Sequence, residues 1–152
     1  MKIRTVKQED FPVLAAYEME IAEISFGDEA VTDPDFHLRK LEKALPKEKN
    51  GMMVLEADGK PAGWLWMTPR TNSVSGETYV NFKSFYIEEG LRGTEWPEKL
   101  LKSGLEYCRA AGAERIIGKV HVKNLPMRAL YKKCGFEPTH MTMELALRGN
   151  RK

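Results

Sequence analysis

The dipeptide Asp58-Gly59, set between the apolar runs Met52–Ala57 and Pro61–Met67, limits the fold more than any other feature of this chain. Two such residues between strand-like runs read as a tight β-hairpin turn. Trp64 and Trp66 then fall on one face of the return strand, and Leu65 and Met67 on the other. Thr78 to Ile87 alternates in the same way and is rich in Tyr, Val and Phe, so it reads as a third strand. Thr68 to Gly76 is polar and turn-rich and reads as the loop before it. An antiparallel meander therefore occupies the middle of the chain.

Helical patterns flank the meander. After a short strand at Lys2 to Val6, Asp10-Phe11-Pro12 opens a helix, with Asp10 as its cap and Leu14, Tyr17, Ile21 and Ile24 as its apolar face. Gly27-Asp28 breaks it. A second helix follows Asp33-Pro34, carries Phe36, Leu38, Leu41 and Leu45, and ends at Pro46. Trp96 to Ala111 is a third, with Leu100, Leu101 and Leu105 buried and Gly112 as its stop. Ile116 to Val122 reads as a strand, Asn124 to Cys134 as a short helix, and Thr139 to Leu147 as a last strand. The expected organisation is one domain over residues 1–147 and a short disordered tail over 148–152.

Composition bounds the function. The chain has 152 residues, 42% of them hydrophobic and 30% charged, as in an ordinary globular protein. Its formal charge of +2 gives no argument for nucleic acid. No apolar run has the length of a membrane span. The charged N-terminal residues do not read as a signal peptide, which makes the cytoplasm the default location. Cys108 and Cys134 read as reduced and structural, and three scattered histidines make no metal site.

Two segments carry chemistry. The loop after Ile87 leads to a helix start, whose free N–H groups and dipole suit a pyrophosphate. There Gly93 permits close backbone approach, Arg92 supplies charge, and Thr94 can cap the helix or reach a phosphate oxygen; the bland reading of Arg92-Gly93 is a simple turn. Further on, Asn124 is a good N-cap and Pro126 fits the first helical turn. Tyr131 follows on that helix, as either a core residue or a functional phenol, and Gly135 ends it.

The pattern Asn124, Leu130-Tyr131, Gly135-Phe136 resembles the C-terminal motif of the GNAT superfamily of N-acetyltransferases. The strand Phe82 to Ile87, leading into Arg92-Gly93 and the Leu100-Leu101 helix, is similar to that family's acyl-CoA motif. Ile3-Arg4, Asp10 and the Asp58-Gly59 hairpin followed by Gly63 add to a likeness that spans nearly the whole chain. The resemblance implies an α/β fold: a mixed, mostly antiparallel sheet of six to seven strands flanked by about four helices. It implies transfer of an acetyl or short acyl group from acetyl-CoA, or a related acyl-CoA, to a primary amine within a ternary complex. A small-molecule or peptide amine would be the acceptor, and a homodimer is common in the family.

Roles follow from the resemblance by position. The strand end with Phe85 and Ile87 would offer backbone groups to the pantetheine arm and the thioester carbonyl. Arg92, Gly93, Thr94 and Trp96, in the loop through Pro97, would cradle the pyrophosphate. Asn124 would bond the cofactor near its pantetheine arm, and Lys99, Lys102, Arg128 and Lys132 could add charge near its phosphates. Tyr131 would protonate the departing thiolate, and backbone N–H groups would stabilise the oxyanion. His121 and Glu77 are the candidates for a base. The acceptor cleft would lie between the first two helices and the loop Thr68 to Gly76, with Trp64, Trp66 and Tyr79 either lining it or packing the sheet. The chain departs from the family's phosphate loop at Glu95 and Pro97, where small residues are usual, and Pro97 has no N–H to give. A GNAT-fold binding module with little or no turnover is the alternative reading.

Overall fold

The structure, a computed structural model, describes residues 1–26 and 33–147. Its centre is a five-stranded sheet whose strands lie in chain order. They are β1 (Lys2–Thr5), β2 (Met52–Ala57), β3 (Lys60–Thr71), β4 (Thr78–Ile87) and β5 (Arg115–Gly118). Neighbours are antiparallel from β1 to β4, and β5 is parallel to β4. The hairpin turn is of type I′: Asp58 has φ 53° and Gly59 φ 78°, both left-handed as that turn demands.

Among the described residues, four α-helices cover the two faces. On one, α1 (Phe11–Phe26) and α2 (Pro34–Glu48) bury Phe11, Leu14, Tyr17 and Leu41 against Met52, Val54, Trp64 and Trp66. On the other, α3 (Trp96–Ala110) and α4 (Leu125–Lys133) bury Leu100, Leu101 and Tyr131 against Leu55, Leu65, Met67 and Phe82. Helix α3 lies close on β3 at Gly104, where an added Cβ would stand 2.5 Å from Leu65 Cδ2. The layering is the expected α/β arrangement. The strand count is not, since the sheet has five strands rather than six to seven.

The differences have local causes. β3 continues past Met67 because Thr68 to Thr71 keep pairing with β4, and Thr68 is buried. α2 passes Pro46 and runs to Glu48, whose carboxylate accepts hydrogen bonds from Trp66 Nε1 at 2.8 Å and Thr68 Oγ1 at 3.0 Å. That tertiary anchor holds the last turn despite the proline. β5 stops at Gly118, short of Val122. Residues 139–147 keep the alternation of a strand but join no ladder, and all of them are exposed. The Gly27-Asp28 break and the 148–152 tail lie outside the described residues.

Asp10 is not a simple helix cap. It is buried at the end of a 3₁₀ turn (Gln8–Asp10) and accepts from both terminal nitrogens of the Arg4 guanidinium, at 2.8 and 2.9 Å, and from the Lys7 N–H at 2.7 Å. Arg4 also meets Glu56 on β2, so the pair ties the first strand and the approach to α1 to the sheet. Burial pushes the Asp10 carboxyl up, but the Arg4 guanidinium and the Lys7 N–H outweigh it and hold the group below the ordinary carboxylate range. A carboxyl depressed in the folded state adds stability above its unfolded pKa of about 3.9, and that stability is lost as pH falls through the folded value. Asp10→Asn should cost about 1.5–3 kcal/mol at pH 7, since Arg4 keeps Glu56. Urea unfolding should also show the variant losing less stability than the parent below about pH 4.

Candidate functional site

The register between β3 and β4 sets the site. Trp66 faces Ser84 but Met67 faces Phe82, so Lys83 is an extra residue, a β-bulge. The bulge changes which side chains share a face. Val80 and Phe82 point into the core beneath α3, as do Phe85 and Ile87, while Tyr86 joins the tryptophan cluster opposite. Lys83 itself lies over the Trp66 ring, 4.0 Å from its centroid, with Glu48 at 3.7 Å.

β5 accompanies β4 only from Tyr79 to Phe82, and the last matched pair is Phe82 with Gly118. Beyond it β4 runs on to Ile87 without β5, and the two strands form a fork. Tyr131 stands at that fork. A Cβ built on Gly118 would lie 2.4 Å from the Tyr131 hydroxyl and 2.7 Å from Cζ, so only glycine leaves room for the phenol.

The spacing from Tyr131 to Gly135-Phe136 has a physical reading. Gly135 is left-handed, with φ 95°, and its N–H donates to the Lys132 carbonyl at 3.0 Å. The Phe136 N–H donates back to the Tyr131 carbonyl at 2.9 Å. These are the two bonds of a Schellman helix end, and its usual apolar contact is made by the Tyr131 and Phe136 rings, 4.7 Å apart. Phe136 also approaches Phe82 at 6.1 Å, so the helix end is pinned to β4 at the fork. Tyr131 is 8% exposed, and burial pushes its phenol up to about 12.

The loop before α3 leaves several main-chain N–H groups at the helix start. Gly93 has φ 87°, which favours glycine. Glu95 is the N-cap and makes no side-chain cap bond; the Thr94 hydroxyl just before it accepts from the Trp96 N–H at 3.2 Å and donates to the Leu91 carbonyl at 2.6 Å. The N–H groups of Gly93, Glu95 and Glu98 have no partner among the described residues. Glu95 turns along the helix to Lys99, at 3.2 Å, and Lys99 covers the Trp96 ring. Arg92 turns away from the loop: its Nε donates to the Ile87 carbonyl at 2.7 Å, and its guanidinium lies near Glu20 and over Tyr86.

The remaining candidates are placed as follows. Asn124 caps α4, its side-chain oxygen accepting from the Met127 N–H at 3.3 Å. Arg128 donates to the Val122 carbonyl at 2.8 Å. His121 lies past the end of β5 rather than on a strand, exposed, with Nδ1 accepting the Lys123 N–H. Glu77 is paired with Arg115. Trp64 and Trp66 are fully buried, and Trp64 Nε1 donates to buried Glu18, so both pack the sheet rather than line a cleft. Lys102 is tied to Glu98, which also holds Lys133 of α4.

One cluster went unread in the sequence. At the far end of β4, Tyr17 stacks on Tyr86 at 4.2 Å and donates to Glu88 at 2.5 Å, and burial and then nearby Glu20 push the Tyr86 phenol up to about 12. Burial and then Glu88 push the Tyr17 phenol far above its ordinary range, so it stays a donor. Nothing in the spacing of these residues predicts that α1 brings Tyr17 and Glu20 to the end of β4.

The acetyltransferase (GNAT) family matches residues 13–136, and the chain belongs to that family. It is 29% identical over 138 residues, covering 90% of this chain and 80% of the relative, to a Bacillus subtilis (strain 168) protein provisionally named a [ribosomal protein bS18]-alanine N-acetyltransferase. The fold matches a mutant of the BH1408 protein of Bacillus halodurans with a TM-score of 0.86, at 20% identity over 97% of this chain and 99% of that one. It also matches glucosamine-6-phosphate N-acetyltransferase of Arabidopsis thaliana with a TM-score of 0.69, at 16% identity over 96% and 97% of the two chains.

Gly118 leaves the space that the Tyr131 ring occupies, a contact that only the structure identifies. Gly118→Ala should displace the Tyr131 ring and cost about 1–3 kcal/mol by overpacking. Thermal unfolding measures that cost, and a change in tyrosine fluorescence would report the moved ring.

Proposed function

We propose that this chain transfers an acetyl or short acyl group from acyl-CoA to a primary amine. The observation that carries the reading is the fork: β4 runs past β5 with one edge unpaired, and the Tyr131 hydroxyl stands over Gly118 where the strands part. Unpaired main-chain groups there suit the amides of a pantetheine arm. The N–H groups of Gly93, Glu95 and Glu98 suit a pyrophosphate at the start of α3. Pro97 removes one donor, but the carboxylate of Glu95 is turned to Lys99 and leaves its own N–H available. The residues present thus fit acetyl-CoA, which supplies an activated acetyl thioester when bound.

In this reading Phe85 contributes backbone groups along the arm and Ile87 its N–H, since the Ile87 carbonyl already accepts from Arg92 Nε. Gly93, Thr94 and Trp96 shape the phosphate loop, while Asn124 and Arg128 fix the start of α4. Tyr131 holds a proton at its hydroxyl oxygen. With the phenol pushed up to about 12, it is protonated at every physiological pH and can give that proton to a departing thiolate. Glu20 and Glu88 make the far end of β4 acidic, which favours an amine that arrives as a cation. His121 remains the proposed base, acting through water. The B. subtilis relative is named for an alanine acceptor on a protein, so a peptide with a free N-terminal alanine is the first acceptor to assay.

One observation favours a second reading, a GNAT-fold module with weak or no turnover. The Arg92 guanidinium is committed to Ile87, Glu20 and Tyr86 rather than to the phosphate loop. Calorimetric titration with acetyl-CoA separates the two. Binding below millimolar concentration is expected, and no binding at millimolar cofactor ends the enzyme reading. Tyr131→Phe should then lower kcat by about 10²-fold with little change in cofactor affinity. An unchanged kcat would remove Tyr131 from the role. The rate should show no alkaline fall due to Tyr131 below about pH 10, because its phenol titrates near 12.

A further inference from the structure

Lys83 is the residue that the bulge leaves without a partner on β3, and it stands where β5 has just left the sheet. Its neighbour Phe82 pairs with Gly118, the last matched position of β5, so Lys83 is the first residue of β4 past the fork. Paired strands lie about 4.8 Å apart, and successive residues about 3.3 Å. The Lys83 backbone is thus one residue step along and one strand across from Gly118, the residue over which the Tyr131 hydroxyl stands. The two groups approach from opposite faces. Tyr131 belongs to the cluster beneath α3 and α4, while Lys83 lies over Trp66 on the face of α1 and α2. The gap between β4 and β5 joins the two faces at that level.

The amine of Lys83 is poorly held. Its side chain is 26% exposed, against 44% for Lys40 and 50%, 61% and 69% for Lys99, Lys102 and Lys133. An ammonium group has three donors to satisfy. The carboxylate oxygen it meets, Oε1 of Glu48, is at 3.7 Å, beyond hydrogen-bond length. That oxygen already accepts from Trp66 Nε1 and Thr68 Oγ1. The indole ring, 4.0 Å from Nζ, is shared with Lys40 at 5.6 Å. Burial pushes the Lys83 ammonium down; Glu48 on α2 and Glu18 on α1 oppose it, while Lys40 on α2 and Arg70 on β3 add to it. The balance lies below the ordinary lysine range. A partly desolvated amine with no hydrogen bond among the described residues is an activated nucleophile.

We propose that Lys83 is a self-acylation site, at which the ε-amine takes the acyl group from acyl-CoA held in its own fork. The inference rests on the acyl-CoA reading of the fork. The free amine attacks the thioester carbonyl; a C–N bond forms and the C–S bond breaks, with the electron pair leaving on sulfur. The Tyr131 hydroxyl gives the thiolate its proton and regains one from water, and the nitrogen releases its surplus proton to water. The products are an Nε-acyl-lysine and free CoA. To react, the side chain swings off the Trp66 ring, where no directed bond holds it. Once acylated it is neutral and gives up both Trp66 and Glu48.

Isotopically labelled acetyl-CoA and peptide mass spectrometry of the full chain test this. With no amine added, Lys83 should be labelled about tenfold or more faster than Lys40, Lys99, Lys102 or Lys133. The rate per chain should not depend on protein concentration, and excess free CoA should suppress it. N-hydroxysuccinimidyl acetate, which acts from solution, should instead label those four more exposed lysines first. In Lys83→Arg the fast phase of labelling from acetyl-CoA should vanish. Lys83 labelled no faster than the exposed lysines, a rate that rises with protein concentration, or a fast phase that survives Lys83→Arg would each overturn the inference. If acetyl-CoA binds and acetylates an added amine while Lys83 stays unlabelled, this inference alone fails. No binding at millimolar cofactor removes the proposed activity with it.

Discussion

A strand in the interior of a sheet has both rows of its main-chain groups paired, and β4 does not. Up to Phe82 it is held between β3 and β5; after Phe82 only β3 remains. Unpaired N–H and C=O groups in a protein need another partner, whether water, a side chain or a ligand. The bulge at Lys83 falls at this point, and bulges bend the strand that carries them and raise its twist. β4 and β5 therefore part just where the side chains of β4 change faces. The fold leaves one edge of this stretch without a neighbouring strand, with Phe85 and Ile87 rooted in the core on one side and Tyr86 in the tryptophan cluster on the other.

The rest of the site is built around that opening. α4 ends in a left-handed glycine whose turn throws Phe136 back onto Tyr131, and Phe136 is itself held by Phe82. The phenol is placed by packing, and Gly118 removes the one atom that would collide with it. On the opposite face, Glu18 and Glu48 satisfy the indole N–H groups of Trp64 and Trp66, so the sheet that carries β4 is anchored without unpaired donors. Arg4 and Asp10 do the same for the first strand. A buried network whose members are all paired makes the sheet a rigid base for the fork.

Much of this was legible in the residues, and the reasons differ. Asp58-Gly59 and Gly135 announce left-handed backbone, so both turns were readable one residue at a time. Asn124 reads as a cap and is one. The motif from Asn124 to Phe136 carried the family, which the match over residues 13–136 establishes. What could not be read depends on register and long-range contact. The extra residue at Lys83 appears only when β3 and β4 are aligned. The return of Arg92 to Ile87 and Glu20, and the meeting of Tyr17 with Tyr86, require α1 to be in place. Thr139 to Leu147 shows the limit from the other side: its alternation predicts a last strand, but the segment joins no ladder, because a period of two supplies no partner edge.

A crystal structure of the chain with CoA tests the central claim most directly. The account predicts density for the pantetheine arm along β4 between Lys83 and Ile87, with the sulfur within hydrogen-bonding reach of the Tyr131 hydroxyl and the pyrophosphate against the N–H groups of Gly93, Glu95 and Glu98. CoA bound away from the fork, or a fork whose β4 edge is filled by protein while CoA lies elsewhere, would contradict it.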